Sequence, residues 1–370
     1  MSSRITQVEL WHCPLAMPRE LHLGSITYRS RDYIVLRLTT EDGVTGAAVG
    51  YSRNTPVFEA VRELTPHLME LDSGDPSHVL STLRKRFAPG WGAMVRGASL
   101  IDIALWDILA RQSGRSITEL FGADNREVPL MAVAGYFLDQ RGPEAIVDEV
   151  RQFCDEGYET IKLIVPGHER AADLALVSAV AATLPDRVQL GIDFHGAFND
   201  VPTAIDYCGA FEEFSLRFIE DPFASYETDS VIAVANALHT PVATGEDLIT
   251  VSSYRQLLAG GAGYLRIDAS ATGGYTNAIE GVDLAASHGA TAAPHVWPHL
   301  HIPLAARSKA VGMVEVVPSC TGADPIDQLL SEPFPIKEGR WQSPAQEGLY
   351  LPLDWEKVNA MSSRHWSIGA

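Results

Sequence analysis

The 370-residue chain has four cysteines, Cys13, Cys154, Cys208 and Cys320, and they stand far apart. They form no Cys-x-x-Cys pair and no dense framework, which excludes a disulfide-stapled scaffold. They read as reduced, buried thiols of a cytoplasmic protein. Runs of lysine or arginine are missing as well. With 28 basic against 47 acidic residues the formal net charge is −19, which argues against nucleic acid or an anionic membrane surface as a partner. Nowhere do about 18 uncharged apolar residues follow one another, so no membrane span is expected. The start, "MSSRITQVEL", reads as a strand rather than a signal peptide. No internal repeat and no low-complexity tract stands out.

What is there is a chain able to fill a large core, with 46% hydrophobic and 20% charged residues. Its length suits one large domain plus a smaller one. Three regions separate by pattern. Residues 1–125 read as strands and then helices, an α+β unit. In it, "DYIVLRLTTEDGVTGAAVGY" predicts two strands around an Asp42-Gly43 turn. The stretch "ASLIDIALWDILARQSG" (98–114) sets Leu100, Ile101, Leu105, Ile108 and Leu109 on one helical face and stops at Gly114. Residues 126–320 alternate short apolar runs with helical stretches. The runs are "PLMAVAGY", "TIKLIV", "VQLGID", "LRFIED", "PVATGE", "YLRIDA", "TAAPH" and "MVEVVP". Apolar strands alternating with helices imply a parallel sheet covered by helices, and eight of them imply a (β/α)8-type barrel. The helical signal after "MVEVVP" is weak, so the barrel is expected to be imperfect. Residues 321–370, rich in Pro, Gly and Trp, are expected to pack back on the first region.

In such a barrel the chemistry sits at the C-terminal strand ends. Those ends carry Lys162, Asp193, Glu220, Glu246, Asp268, His295 and Glu315. A single acid at a strand end is commonly a helix cap. Asp193, Glu220 and Glu246 differ, because spacings of 27 and 26 residues, about one strand–helix unit each, make them converge at the mouth. Three unpaired carboxylates there would repel one another, and a hard cation removes the conflict; oxygen ligands suit Mg²⁺ or Mn²⁺. Lys162 interrupts a buried strand, which is costly unless it meets an anion. Asp268 beside His295 would fix the imidazole tautomer and make it a general base. His299 and His301 in "HVWPHLH" lack a third nitrogen or sulfur ligand in pattern, so zinc is not expected.

Together these residues resemble the enolase superfamily, in particular its mandelate racemase-like subgroup, over essentially the whole chain. The resemblance implies a modified TIM barrel with an N-terminal α+β capping domain completed by the C-terminal tail. It makes Asp193, Glu220 and Glu246 the metal ligands, Asp268 and His295 the His–Asp dyad, and Glu315 the eighth-strand acid that meets a substrate carboxylate. It implies a small carboxylate substrate, abstraction of its α-proton to an ene-diolate, and a homo-oligomer.

Two departures choose among outcomes. The racemase motif Lys-x-Lys reads Lys162-Leu163-Ile164 here. Strand alternation puts Ile164 where a second base would stand, which disfavours a racemase or epimerase. Where many members have Asp-x-Asn, this chain has Asp193-Phe194-His195, similar to D-galactonate and related acid-sugar dehydratases, in which that histidine protonates the departing β-hydroxyl. The expectation is an acid-sugar dehydratase, a hydro-lyase acting on an aldonate or aldarate. The alternatives are a racemase or epimerase on the same fold and a non-catalytic metal- and carboxylate-binding member. Residues 18–32, "PRELHLGSITYRSRD", are expected to form a polar lid between strands, with His22, Tyr28 and Arg29 as candidate specificity residues.

Overall fold

The computed structural model describes residues 3–23, 26–123, 127–342 and 344–369. Its first sheet is antiparallel. Strand β1 (Ile5–Leu23) pairs with β2 (Ile26–Thr40), and β2 with β3 (Thr45–Tyr51). The predicted turn joins β2 to β3, with Gly43 at φ +80° donating its N–H to the Thr40 carbonyl at 2.9 Å. The left-handed conformation is what glycine supplies there without steric cost. The fourth strand comes from the far end of the chain: Arg364–Gly369 lies antiparallel against β1.

Helices α1 (Val57–Leu68), α2 (Pro76–Arg86) and α3 (Trp91–Gln112) follow. Helix α3 buries Leu100, Ile101, Leu105 and Ile108, as the 3.6-residue pattern requires, while Leu109 is only half covered. It begins earlier than the apolar pattern suggested and gives way to Gly114 at φ +64°. Strand β3 lies so close to α3 that a Cβ on Gly46 would stand 2.2 Å from the Ala104 carbonyl oxygen. Any side chain at 46 would push the sheet off the helix.

All eight expected parallel strands are present. They are β4 (Val128–Ala134), β5 (Thr160–Ile164), β6 (Gln189–Asp193), β7 (Phe218–Glu220), β8 (Val242–Thr244), β9 (Tyr264–Leu265), β10 (Thr291–Ala292) and β11 (Val314–Val316). Strands β4 to β10 are neighbours in chain order, and β11 pairs with β4, so the eighth strand returns to the first. The seam between β10 and β11 rests on a single bridge, Ala292 to Val311, and on Glu315 N–H to the Pro294 carbonyl at 3.2 Å. After β11, 3₁₀ turns at Ser319–Thr321 and Pro325–Leu329 take the place of an eighth α-helix. Pro318, Gly322 and Pro325 punctuate this stretch, which accounts for the weak helical signal. Cys320 lies in the first of these turns and is exposed; Cys13, Cys154 and Cys208 are buried thiols as expected.

The expected lid between strands is a different object. Residues 18–23 and 26–32 belong to the strands themselves, as the far ends of β1 and β2. Their register runs Leu21 to Tyr28, His22 to Thr27 and Leu23 to Ile26, after a shift between Ala16 and Leu21. Ile26, Thr27 and Tyr28 are residue types that favour strands, and pairing carries the ribbon beyond the sheet body. Gly24 and Ser25 of this segment lie outside the described residues. Among the described residues no helix is long and apolar enough to cross a membrane.

Candidate active site

Strand β5 is buried over all five residues, and Lys162 sits in its middle with 3% exposure. A lysine so placed needs anions, and it has three. Its Nζ is 2.9 Å from Asp193 Oδ2, 2.7 Å from Glu220 Oε1 and 2.8 Å from Glu315 Oε2. These acids raise its pKa well above the usual lysine value, against a desolvation that works the other way. A second buried cation completes the cluster. Arg266 places Nε 3.1 Å from Glu220 Oε2, pairs with Glu315 through an η nitrogen, and donates to the Ala293 carbonyl at 2.7 Å. Arg266 escaped the sequence analysis. Its signal, a charge inside the apolar run "YLRIDA", was of the kind used for Lys162.

The dyad is assembled. His295 Nδ1 lies 3.0 Å from Asp268 Oδ2. The other Asp268 oxygen accepts from Ser270 N–H at 2.7 Å and from its Oγ at 2.6 Å. Burial works to raise the Asp268 pKa, but the His295 contact and the Ser270 hydrogen bond hold it down to about 2. An ionised Asp268 accepts a hydrogen bond from His295 Nδ1–H, which fixes that tautomer and leaves Nε2 as the basic nitrogen. That nitrogen is 3.4 Å from Glu246 Oε2 and 4.0 Å from Glu315 Oε1.

His195 reaches the mouth by a route that alternation does not describe, because β6 ends at Asp193. His195 adopts φ +49° and Gly196 φ +70°. The turn is pinned by His195 N–H on Asp193 Oδ1 at 2.9 Å and by Gly196 N–H on the Asp221 carbonyl at 2.7 Å. The imidazole Nδ1 stands 3.2 Å from the same Asp193 oxygen, without hydrogen-bond alignment. Burial lowers the His195 pKa, and the Asp193 charge pulls the other way. Asp221, Val296 and Trp297 share the left-handed region, so backbone strain gathers around the mouth, as it does at functional sites. Ile164 is buried in the apolar core. His301 is tied to Val296 O and Ala269 N, and His299 stacks on Phe334, which leaves both as packing residues.

The acidic residues bear on a metal. Ligand oxygens of Glu220, Asp221 and Glu246 lie within 4.8 Å of one another. Asp221 Oδ1 is buried without a hydrogen-bond partner among the described residues, and Glu220 Oε2 meets Arg266 Nε at 3.1 Å without hydrogen-bond alignment. Burial, with the Asp193 and Glu315 charges, lifts the Glu220 pKa to about 8 against the pull of Arg266 and Lys162. Burial and the charges of Glu246, Glu220 and Asp193 lift Asp221 well above the carboxylate range. Glu246 is held well below it, against its burial, by His295 and Arg53. An all-oxygen set with unsatisfied buried lone pairs fits a hard divalent cation. Asp221 was not singled out from the sequence, although it follows Glu220 directly in "FIEDPF". Asp193 instead spends one oxygen on Lys162 and the other on the His195 turn.

Above the cluster opens a cavity of about 670 Å³, lined from below by Lys162, His195, Glu246, His295 and Glu315. The capping sheet roofs it with Tyr28, Arg31 and Tyr51, and Arg53 joins them from the turn after β3. Of the lid candidates only Tyr28 lines the cavity. Arg29 is 81% exposed and pairs with Glu20 at 2.8 Å, and His22 faces Thr27 and Asp139.

Fold and site define a class: a capped α/β barrel that sets an acidic cluster suited to a divalent cation beside a His–Asp pair. Comparison with known proteins narrows it. The pattern described as mandelate racemase / muconate lactonizing enzyme, N-terminal domain, matches residues 6–122, and that described as enolase C-terminal domain-like matches residues 145–357. The chain therefore belongs to the mandelate racemase / muconate lactonizing enzyme family of the enolase superfamily. It is 29% identical over 326 residues to an L-talarate/galactarate dehydratase of Salmonella typhimurium, covering 86% of this chain and 80% of that one. It is 28% identical over 277 residues to a D-galactonate dehydratase of Verminephrobacter eiseniae, covering 71% of each. The crystal structure of an L-talarate dehydratase from a Polaromonas species, complexed with Mg and L-glucarate, superposes with a TM-score of 0.90 at 28% identity over the whole of both chains. These relatives are hydro-lyases. The protein is an enzyme resembling them, and its acidic cluster suits the Mg that the Polaromonas structure carries.

Proposed function

We propose that this chain is a Mg²⁺-dependent dehydratase of an acid sugar, an aldonate or aldarate. The observation that carries the reading is a cavity lined by two histidines held in different ways: His295 oriented by Asp268, and His195 pinned above Asp193. Asp193, Glu220 and Glu246 would hold the cation, with Asp221 adjoining. Bound there, Mg²⁺ supplies Lewis-acid stabilisation to a carboxylate oxygen. His295 Nε2 takes the proton from the carbon next to the substrate carboxylate. Lys162 and Glu315 orient that carboxylate, and the Lys162 charge balances the negative charge that grows as the ene-diolate forms. His195 gives a proton to the β-hydroxyl, the C–O bond breaks, and water departs. The enol then gains a proton at C3 and becomes a 2-keto-3-deoxy acid. Ile164 carries no proton, which weighs against racemisation.

The test is to incubate the enzyme with Mg²⁺ and a panel of aldonates and aldarates and to trap 2-keto acids with semicarbazide. Product from at least one is expected; none from any of them overturns the reading. His195→Asn is expected to lower dehydration by about 100-fold or more while α-proton exchange in deuterated water continues. Equal loss of both would remove His195 from the proton-donor role.

A further inference from the structure

Four cations line the cavity: Arg31, Arg53, Arg96 and Lys162. Three are committed to acids of the protein. Lys162 holds its three carboxylates, Arg53 pairs with Glu246 at 2.8 Å and Asp247 at 2.5 Å, and Arg96 pairs with Asp247 at 2.6 Å. Arg31 alone has no ion pair among the described residues. It is nevertheless held in place. Its Nε donates to the Ala323 carbonyl at 2.9 Å, and its guanidinium carbon lies 5.3 Å from the Tyr28 ring centre and 5.2 Å from that of Tyr51. Cation–π contacts to two rings fix the plane of the group. Asp324 is near enough to act on Arg31 but accepts its hydrogen bond from the Tyr33 hydroxyl. The η nitrogens are left as an oriented fork at the cavity roof, and such a planar fork matches a carboxylate in two-point contact. Lys162 and Glu315, on the barrel floor, serve the reacting end of the substrate. The fork comes from the cap, on strand β2, and lines the same cavity.

We propose that Arg31 binds a second, distal carboxylate, so that the substrate class is the diacid, an aldarate, rather than the aldonate. This rests on the dehydratase reading above and sharpens it. Tyr28 and Tyr51 act as positioning residues that keep the fork open to the cavity. An aldonate, with a neutral hydroxymethyl group at that end, would leave the fork unpaired and lose the charge-assisted bonds.

The test uses pairs of six-carbon aldarate and aldonate matched in configuration from C2 to C5. Their binding is measured by calorimetry with Mg²⁺ on the His295→Asn protein, so that turnover does not intrude. The best aldarate is expected to bind at least ~30-fold tighter than its aldonate. Arg31→Gln should erase that ratio while leaving aldonate affinity within about two-fold, and Arg31→Lys should recover only part of it. Equal affinity for the two members of every pair overturns the proposal, as does an Arg31→Gln protein that weakens both equally. In the active enzyme, dehydration of aldonates with no dehydration of aldarates would overturn this inference and leave the dehydratase reading standing. Failure of every acid sugar to lose water would sink that reading separately.

Discussion

The floor and the roof of the cavity are built on different physical principles. On the floor, buried charges face one another at 2.7–2.9 Å from short barrel strands, and Lys162 and Arg266 can move only if the barrel core moves. On the roof, Tyr28 and Arg31 ride on a two-stranded ribbon that reaches past its sheet, partly open to water. The floor is arranged for one chemistry, because preorganised charge on rigid elements stabilises a developing anion. Among the described residues Tyr28 and Arg31 make no ion pair with the floor acids, although Arg53 beside them reaches Glu246 at 2.8 Å; on the reading proposed above, substrate choice belongs to the ribbon.

The sharpest way to break this division is at the base. His295→Asn should lower turnover by ~10³-fold or more, abolish α-proton exchange and leave Kd for an aldarate little changed. Proton exchange read by NMR in deuterated water checks it. Retained exchange would move the base elsewhere on the floor, Lys162 first. A smaller effect tests whether floor and roof act as one body. Asp102, on the capping helix α3, accepts the Thr276 Oγ–H at 2.5 Å and the Thr276 N–H at 3.1 Å from the barrel helix Gly274–Ser287. Burial pushes its pKa up to about 7, against those hydrogen bonds. The native state therefore keeps this proton where the unfolded chain has lost it. The contribution of Asp102 to stability is full below the ordinary carboxylate range. It is lost as pH rises toward about 7 and is flat above that, a span on the order of a few kcal/mol. Asp102→Asn should flatten that part of the pH–stability curve, as calorimetric Tm values at pH 4.5 and 7.5 would show; an unchanged pH slope refutes the assignment. The smallest effect is expected at the outer rim. Arg29→Ala, in an exposed pair with Glu20, should leave Tm unchanged and kcat/KM within about two-fold. A larger loss would extend substrate selection out to the rim.

The same division decides how much could be read in advance. Eight apolar runs of strand length predicted eight strands, since a parallel sheet covered on both faces leaves no room for alternation. The placement of Asp193, Glu220 and Glu246 at successive strand ends was legible because one strand–helix unit separates each from the next, though the clustered oxygens are those of Glu220, Asp221 and Glu246. The His295–Asp268 pair was legible as two neighbouring strand ends. Arg266 was within reach of the reasoning applied to Lys162. Asp221 was not, because its approach to Glu246 depends on a left-handed backbone, φ +40°, which nothing in "FIEDPF" declares. Arg31 and Arg29 cannot be told apart by composition, being two residues apart on one strand. Tyr51 from β3 and Ala323 from the far tail decide which of them is held at the cavity.

The pairing of Arg364–Gly369 with β1 has a consequence for the order in which the protein is made. Strand β1 is made long before the strand that covers its open edge. At ordinary elongation rates that edge stays bare for on the order of tens of seconds. During that time a row of unpaired backbone N–H and C=O groups is available to a neighbouring chain. The cap sheet of a newly made molecule is complete only once Arg364–Gly369 has been made, so until then the β1 edge is guarded by something other than its own partner strand.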